Sequence, residues 1–336
     1  MKNRTGDTDP ESATNSASHL LDDDAVQRFI VDGYITLRPA LPDAYHSALR
    51  RQLDALIALE GNPGNDLLPK VPELSALFAD PVVDGALQSL LGPDHILHRH
   101  RHCHDWHPDS EAQSWHKDYP ISGHPRCHRG RWVLLFYYPQ RVEPDMGPTA
   151  IQPRTQYYMD PQTDAPAIEL CVEAGTVVIA HYDIWHKATA NTASQTRYML
   201  KFLCGRRTEP STPCWNSRDA VWTPDGIHRT LWQTMWHWYR GDERATLAEA
   251  EPREIGAWID QLDAADPAIR RLAADALGTV QAARAVPALT ARLEDEDEPV
   301  RLNAAYALGA QGAITELTSA LSRETQDRSQ ANLERG

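Results

Sequence analysis

The sequence has few cysteines, little positive charge and no long apolar segment, and each shortage argues against a class of protein. The five cysteines are odd in number and scattered, and no two form a Cys-x-x-Cys pair, so neither a disulfide framework nor a zinc knuckle is indicated. No apolar run reaches the about 18 residues of a membrane-spanning helix, and residues 1–20 lack the apolar core of a secretory signal. The net charge of −14 argues against non-specific binding to nucleic acid or anionic membranes. We therefore expect a cytoplasmic protein with disordered tails at residues 1–20 and 326–336.

The length of 336 residues exceeds the usual size of a single hydrophobic core, so a large domain and a smaller one are expected. Between residues 96 and 205, short apolar segments alternate with glycine and proline, and no long helix is indicated. The segment Arg131–Tyr138, rich in aromatic and branched residues, is the clearest buried strand. Many short strands with tight turns are typical of a sandwich or a closed barrel. We predict an α+β domain over residues 21–245 and an all-α segment over residues 250–325.

Local end signals predict several elements around this core. Asp22 precedes apolar positions at helical spacing and Gly33 follows them, so a short amphipathic helix is expected between the two. Pro42 and Gly61 bracket a second helix in the same way. The other predicted elements are a strand over Tyr34–Arg38, strands within 168–180 and 197–204, a helix over Val82–Leu91 and an aromatic-rich helix over Asp225–Tyr239.

The C-terminal part contains an internal repeat. The segment Asp266–Gly278 recurs as Glu298–Gly309 with a period of 31 residues, and a second predicted helix over Ala285–Leu293 lies between the copies. Paired helices rich in alanine and leucine at this period are the signature of an α-solenoid and resemble HEAT repeats. The acidic run Glu294–Glu298 falls at the turn between helices, and we interpret it as a solvated loop.

Histidine occupies every second position from His98 through His100 and His102 to His104. In a strand this alternation places all four imidazoles on one face. A His-x-His pair can chelate a metal such as zinc or nickel, but no carboxylate shares the face, and four histidines are more than one site needs. We favour the interpretation that this histidine face contacts solvent or lines a cavity. The alternative is a cupin-like metal protein that binds its metal through this strand.

A His-x-Asp pair on a strand points both side chains the same way, as a metal site of two histidines and one carboxylate requires. With 15 histidines the pair should arise about once by chance. Three such pairs occur: His107 with Asp109, His116 with Asp118, and His181 with Asp183. The residues around each pair have to decide which one is a candidate metal site.

Context selects the middle pair. Pro108 disfavours a regular strand through the first pair, and the third pair lies only five residues from His186, in the same loop. His116 precedes the central strand by a short segment and lies 70 residues ahead of His186, so the intervening strands can bring the two together. Arg197, eleven residues after His186, can aim its guanidinium at the same barrel mouth. We therefore favour His116, Asp118 and His186 as ligands of iron.

Four groups of residues occur in an order that a known family shows. They are Asp32-Gly33-Tyr34, then Trp115-His116-Lys117-Asp118, then Gly147-Pro148 with Pro153, and finally Gly175 through His186, Asn191 and Arg197. In this order, over residues 22–205, the sequence resembles the phytanoyl-CoA dioxygenase family of Fe(II)/2-oxoglutarate oxygenases. The resemblance implies a double-stranded β-helix (jelly-roll) core with flanking helices.

The resemblance also implies the roles of the site residues. Iron would lie on His116, Asp118 and His186, and Arg197 would bind the distal carboxylate of 2-oxoglutarate, a task that suits the bidentate fork of arginine. Many members of the family carry a hydroxyl residue two positions after the distal histidine. Here that position is alanine, and we predict that the next residue, Thr189, makes the contact to the co-substrate.

The retained carboxylate of Asp118 bears on the reaction. Related halogenases replace it with a small residue so that halide can bind the iron, and its presence here implies hydroxylation or another oxidation. The resemblance implies a dioxygenase that consumes O2 and 2-oxoglutarate, produces succinate and CO2, and oxidises a C–H bond of a small-molecule or natural-product substrate.

Residues 122–131 are the one basic patch in this acidic chain, and they follow the proximal pair of ligands closely. Arg126 and Arg129 are candidates to bind an anionic substrate, whereas the alternative is a solvated loop whose arginines pair with surplus carboxylates. The helical repeats leave a homodimer or a protein partner open. A non-catalytic adaptor that binds proteins through the repeats is the alternative function, and neither nucleic acid nor a membrane is an expected partner.

Overall fold

The structure, a computed structural model, describes residues 19–118, 128–162, 165–218, 221–242 and 249–333. These residues divide into two compact units. The first comprises residues 19–118, 130–157, 161–162 and 165–218, and the second comprises residues 128–129, 158–160, 221–242 and 249–333. The first unit combines helices with antiparallel sheets, and the regular structure described in the second is helical. Arg126, a predicted substrate-binding residue, lies outside the described residues.

The first helices of the first unit begin and end where their local signals predict. In α1 (Asp23–Asp32) the side chain of Asp22 accepts a hydrogen bond from the backbone of Ala25, and Gly33 ends the helix. Helix α2 (Asp43–Glu60) lies between Pro42 and Gly61, as predicted. The remaining helices of this unit are α3 (Leu67–Lys70), α4 (Ser75–Ala79) and α5 (Pro81–Leu91).

The strands form two antiparallel sheets. A five-stranded sheet has the order β1-β6-β3-β8-β2, and a three-stranded sheet has the order β5-β4-β7. The predicted strands are present, although the region 168–180 is divided between two of them. The strands are β1 (Tyr34–Leu37), β2 (Ile96–Trp106), β3 (Trp132–Tyr138), β4 (Thr149–Ile151), β5 (Ile168–Glu169), β6 (Thr176–His181), β7 (His186–Ala188) and β8 (Arg197–Gly205).

One apolar core includes residues from both sheets. Alternate residues of the central strands point to the same side, because side chains alternate across a strand. From the smaller sheet, Ile151 joins this core. Its members in the central strands are Leu134, Phe136 and Tyr138 of β3, Val178 and Ala180 of β6, and Met199 and Leu203 of β8.

The helices of the second unit pack around small residues. Helix α8 packs against α10, the equivalent helix of the next repeat, and both contact α6. Their shared core is rich in alanine, which lets helix axes approach closely, and it includes Ala273, Ala274, Leu277, Ala304, Ala307 and Leu308. The helices are α6 (Arg229–Tyr239), α7 (Pro252–Gln261), α8 (Pro267–Thr279), α9 (Val286–Arg292), α10 (Glu298–Ala310) and α11 (Ile314–Leu333). Among the helices described, none combines the length and the hydrophobicity that crossing a bilayer requires.

The start of α6 differs from the prediction. The aromatic pattern suggested a helix from Asp225, but the helix begins at Arg229. Gly226 has a φ of +128°, which lies outside the helical region. A regular helix therefore cannot run through Gly226 and has to begin after it. The periodicity was therefore a correct guide to the helix and a poor guide to its first turn.

The acidic run of the repeats is only in part the solvated loop that the sequence suggested, since Glu294 and Glu296 are exposed but Asp295 and Asp297 are paired with arginines. Asp295 accepts a hydrogen bond from Arg270 at 2.8 Å, and the two side chains are only 3% and 7% exposed. Asp297 pairs with Arg271 and also accepts from the backbone of Val300, where it caps α10. These carboxylates fold back on the preceding repeat because two arginines of α8 lie within reach.

Candidate metal centre

Two segments that are distant in the sequence meet as an antiparallel backbone pair. His186 is the first residue of β7, and His116 lies on the segment before β3. The backbone N–H of each donates to the carbonyl of the other, both at 3.0 Å. Paired residues of this kind place their side chains on the same side, so the two imidazole centroids lie 4.5 Å apart. Gln113 extends the pairing, since its backbone N–H donates to the carbonyl of Ala188.

Asp118 joins the two histidines in one cluster. One ligand atom from each of the three residues lies within 4.8 Å of the others, and Asp118 Oδ2 is 3.6 Å from His186 Nε2. Lys117 lies between His116 and Asp118 in the sequence, and its ammonium is 5.3 Å from the ring centre of Trp185. Among the described residues, this is the one group of histidine, cysteine or acidic side chains close enough to share a metal ion.

Both imidazoles keep a lone pair for a metal. Nδ1 of His116 lies 2.9 Å from the carbonyl of Ser114, and Nδ1 of His186 lies 3.1 Å from that of Ile184. A carbonyl only accepts, so each Nδ1 carries the proton and each Nε2 keeps its lone pair. Burial lowers the pKa of His186 to about 4, so this ring is neutral at neutral pH. Two imidazole nitrogens and a carboxylate are the donor set of a divalent iron site, and backbone contacts hold both rings in place.

A lysine that the sequence did not single out holds the carboxylate of Asp118. Lys201 Nζ lies 2.9 Å from Asp118 Oδ2, and their side chains are 9% and 12% exposed. Burial by itself would raise the pKa of Asp118, but His186 and Lys201 outweigh it and hold that pKa below its usual value. The carboxylate is therefore ionised at neutral pH. Spacing could have revealed this lysine, because it lies four residues after Arg197 on a predicted strand and so shares its face.

Arg197, the first residue of β8, is buried with one edge of its guanidinium unused. Its side chain is not the surface group of an ion pair, since the residue is only 1% exposed. Nε and Nη2 both donate to the carbonyl of Gly147, at 3.1 and 2.7 Å, and Nη1 has no hydrogen-bond partner among the described residues. Burial lowers the pKa of this arginine, which nevertheless stays charged.

The turn under Arg197 requires glycine. Gly147 has a φ of +68°, and a Cβ there would lie 2.6 Å from the ring of Trp106 and 2.8 Å from the carbonyl of Thr189. The indole nitrogen of Trp106 donates to that same carbonyl at 2.9 Å. This close approach explains the glycine in the sequence motif and positions its carbonyl for the guanidinium.

Thr189, the predicted hydroxyl contact for the co-substrate, already has a partner. Its side chain donates to the carbonyl of Pro148 at 3.0 Å. Ala188, the position two after His186, shares the side of β7 on which His186 lies, because side chains alternate along a strand. Thr189 is one residue past the end of β7, and its hydroxyl is already used by an acceptor within the protein.

The hydroxyl of Tyr138 lies within electrostatic reach of Arg197. Burial raises the pKa of Tyr138 to about 12, although Arg197 opposes this effect. The hydroxyl of Thr149 lies beside that of Tyr138, and neither has any other partner among the described residues. Sequence reasoning missed both residues, because the strands of two sheets have to come together before they become neighbours.

Part of the histidine-rich strand faces this centre. In the pairing of β2 with β8, His102 lies opposite Lys201 and His104 opposite Met199. The two imidazole centroids are 4.7 Å apart, and burial lowers the pKa of both rings. Nε2 of His104 is buried and has no partner among the described residues. His98 packs against Trp132 instead, and within the described part of the chain no metal-ligand group includes any of the four histidines.

The other predicted residues lie elsewhere. His107 has a side chain that is 61% exposed, and the backbone N–H of Asp183 donates to Nδ1 of His181 at 3.1 Å, as in a local turn. The guanidinium of Arg129 lies 5.9 Å from the ring centre of Trp238, within the second unit.

Comparison with known proteins gives two family matches. A family model described as phytanoyl-CoA dioxygenase (PhyH) matches residues 29–199, about half of the chain, and a model of HEAT repeats matches residues 255–333. The second match confirms the predicted repeats. No curated protein matches the sequence.

Several solved structures are similar to this chain at low sequence identity. The non-heme alpha ketoglutarate dependent carbocyclase SnoK from nogalamycin biosynthesis has a TM-score of 0.46 and 20% identity over 55% of this chain and 84% of its own. HygX from Streptomyces hygroscopicus, with nickel and 2-oxoglutarate bound, has a TM-score of 0.46 and 13% identity over 56% of this chain and 89% of its own. AviO1 from Streptomyces viridochromogenes has a TM-score of 0.45 and 17% identity over 56% and 96%.

Proposed function

Since the chain belongs to the phytanoyl-CoA dioxygenase family, we propose that it is an oxygenase that uses Fe(II), 2-oxoglutarate and O2 to oxidise a C–H bond of a small organic substrate. The observation that carries the proposal is the convergence of His116, Asp118 and His186, whose ligand atoms lie within 4.8 Å of one another. Hydroxylation is the default outcome of such an oxidation, with succinate and CO2 as the co-products.

The donor set fits iron. His116 and His186 would each bind through Nε2, because their Nδ1 atoms face backbone carbonyls. Asp118 would bind through its carboxylate, which carries a negative charge at neutral pH. Two imidazoles and one carboxylate leave coordination positions open for a co-substrate and oxygen. When bound, iron would supply the redox chemistry that the side chains of this protein lack.

Arg197 would bind the distal carboxylate of 2-oxoglutarate. Its unused Nη1 edge lies in a buried environment, where a charge-assisted hydrogen bond to a carboxylate is strong. Tyr138, which interacts electrostatically with Arg197, and Thr149 beside Tyr138 offer hydroxyls for the same ligand. Thr189 stays a weaker prediction for the same role, because its hydroxyl donates to Pro148.

The two sheets would form a double-stranded β-helix. Three features support this arrangement: the sheets are antiparallel, they share one apolar core, and the pairing of His116 with His186 lengthens the smaller sheet by another segment. In such a barrel, the apolar core would exclude water from the oxidation site, and the ligands would lie at one mouth.

The substrate would be a small molecule that reaches this mouth. Arg126 and Arg129 remain predictions as substrate-binding residues, and their joint replacement by alanine should raise the KM for the substrate. A homodimer or a protein partner bound through the helical repeats remains a proposal of the same kind, supported by the repeat match alone.

An anaerobic titration tests the proposed function. Fe(II) and 2-oxoglutarate added together should produce the weak visible charge-transfer band of the iron chelate in the wild-type protein. The band should disappear in His116→Ala. The matched control is His107→Ala, which removes an exposed histidine from another His-x-Asp pair and should leave the band intact. A wild-type protein without the band is not an oxygenase of this type.

A further inference from the structure

Lys201 is a nearly buried cation whose donors are only partly used. Its ammonium contacts Asp118 Oδ2 at 2.9 Å, and this is its one hydrogen bond among the described residues. An ammonium has three N–H donors, so two remain available. The side chain is only 9% exposed, so bulk water reaches these donors poorly. Buried donors of this kind are costly unless a partner satisfies them.

The lysine lies on the same face as Arg197 but farther along β8. Four residues of extended strand separate the two Cα atoms, a distance of about 13 Å. The terminal carbons of a five-carbon dicarboxylate such as 2-oxoglutarate are only about 5 Å apart. A co-substrate anchored on Arg197 would therefore be shorter than the stretch of β8 between the two residues. The ammonium of Lys201 contacts the candidate ligand Asp118, so the lysine lies beside the metal centre and not at the anchored end of the co-substrate.

The strand opposite Lys201 adds neutral polar groups and no negative charge. His102 is its direct partner on β2, and His104 follows two residues later on the same face. Burial holds the pKa of each imidazole below its usual value, so both rings are neutral at neutral pH. Asp105 is an odd-numbered residue of this strand and so points to the opposite face.

The formal charges of the loaded centre do not cancel. Arg197 and Lys201 contribute two positive charges and Asp118 contributes one negative charge, while Fe(II) and 2-oxoglutarate offset each other. One carboxylate of 2-oxoglutarate would pair with Arg197, and its other carboxylate together with Asp118 would offset Fe(II), so the positive charge left over would be that of Lys201. A buried excess charge is unfavourable, and an anionic ligand would neutralise it.

We propose that the primary substrate carries an anionic oxygen group, a carboxylate or a phosphate ester, which binds to Lys201 with the imidazole of His102 beside it. This inference rests on the proposed function and assigns a substrate class to the same site. The competing explanation is that Lys201 only orients Asp118. The two differ in whether the ammonium discriminates between charged and neutral ligands.

The first test uses metal-free protein and calorimetry, with hexanoate, hexyl phosphate and the neutral hexanamide as probes. In Asp118→Asn the lysine loses its internal counter-ion, and at least one anionic probe should bind about tenfold more tightly than in wild type. In the double variant Asp118→Asn with Lys201→Met this gain should be lost, while Arg197 is still present. Hexanamide should bind alike in all three proteins. Equal affinities for the anions in the single and double variants would overturn the proposal.

The second test uses the anaerobic complex with Fe(II) and 2-oxoglutarate. The same probes are titrated against the charge-transfer band, and an anionic probe should perturb it at a concentration about tenfold lower than hexanamide does. Lys201→Arg should keep this preference and Lys201→Met should lose it. If the band is absent, the proposed function fails. If the band is present but the anions and hexanamide act at the same concentrations, only the assignment of the substrate class fails.

Discussion

The two units of this protein hold their buried arginines in different ways. In the helical unit, Arg270 meets Asp295 and Arg271 meets Asp297, so each cation has a carboxylate beside it. In the other unit, Arg197 is more deeply buried and contacts a backbone carbonyl, with one edge unpaired among the described residues. The carboxylate partners offset the charges of Arg270 and Arg271, whereas no carboxylate among the described residues offsets the charge of Arg197. A buried charge without a counter-ion is the feature expected of a site that binds an anion.

The largest expected effect comes from removing the unpaired cation. Arg197→Met should weaken 2-oxoglutarate binding by about 100-fold, because a bidentate, charge-assisted contact is lost in a buried site. Arg197→Lys should lose less, since the charge remains. Titration of the Fe(II) protein followed at the visible band measures both.

Arg131→Met is the control for Arg197, because it removes an arginine of the same unit from a partly exposed ion pair with Glu209. It should leave the affinity for 2-oxoglutarate unchanged. If Arg197→Met binds 2-oxoglutarate as the wild type does, the unpaired edge is not a co-substrate site and the contrast between the units loses its meaning.

Breaking a pair in the helical unit should affect folding and not binding. Arg270→Ala leaves the buried Asp295 with only the more distant guanidinium of Arg292 at 3.4 Å and should lower the free energy of unfolding by about 2 kcal/mol. The pair is shielded but close to the surface, so breaking it should cost less free energy than breaking a deeply buried ion pair. Denaturant titration measures the change. Arg323→Ala, which removes an exposed ion pair with Glu294, should change stability by less than about 0.5 kcal/mol.

Asp275 is a buried charge of the helical unit that has only a weak ion-pair partner, so it tests the contrast between paired and unpaired buried charges within that unit. It accepts a hydrogen bond from the backbone of Thr230 at 2.7 Å, while the guanidinium of Arg229 is 3.7 Å away. Burial raises its pKa to about 6. Folding therefore favours the protonated form, and this contribution is present below the unfolded value near 3.8 and is lost as the pH rises through 6.

Asp275→Asn keeps an acceptor for Thr230 and removes the titration. Relative to this variant, the wild type should lose at least about 1 kcal/mol of unfolding free energy between pH 4 and pH 6.5. Unfolding curves at a series of pH values measure the difference. If the unfolding free energies of the two proteins change in parallel with pH, the folded protein accommodates the charged and the neutral form of Asp275 equally well.

The smallest effect concerns the predicted hydroxyl contact. Thr189→Val should change the affinity for 2-oxoglutarate by less than about threefold, because the native hydroxyl already donates to Pro148. Thr149→Val removes a hydroxyl beside Tyr138, which itself lies within electrostatic reach of Arg197, and should have the larger effect of the two. The reverse order would restore Thr189 to the role that the sequence suggested.

The sequence predicted the candidate metal ligands better than their surroundings. The context of each His-x-Asp pair and the order of the motifs favoured His116, Asp118 and His186, and the structure brings these three together. It did not identify Lys201, whose meaning depends on a contact with a residue 83 positions earlier in the chain. The sequence also suggested that Asp295 and Asp297 are solvated, because their arginine partners come from the preceding repeat.

What the sequence determined by itself is mainly local. Some signals can be identified in the sequence without knowledge of the tertiary structure, because they act over a few residues. They are the capping carboxylate of Asp22, the prolines and glycines at helix ends, and the period of the repeats. Tertiary structure alone decided which side of each strand faces the centre, which groups are buried there and which donors are left unpaired. The reason is physical: strand register and burial arise from contacts between segments far apart in the chain, and these contacts turn Arg197 from an ordinary strand residue into a buried cation with one edge open.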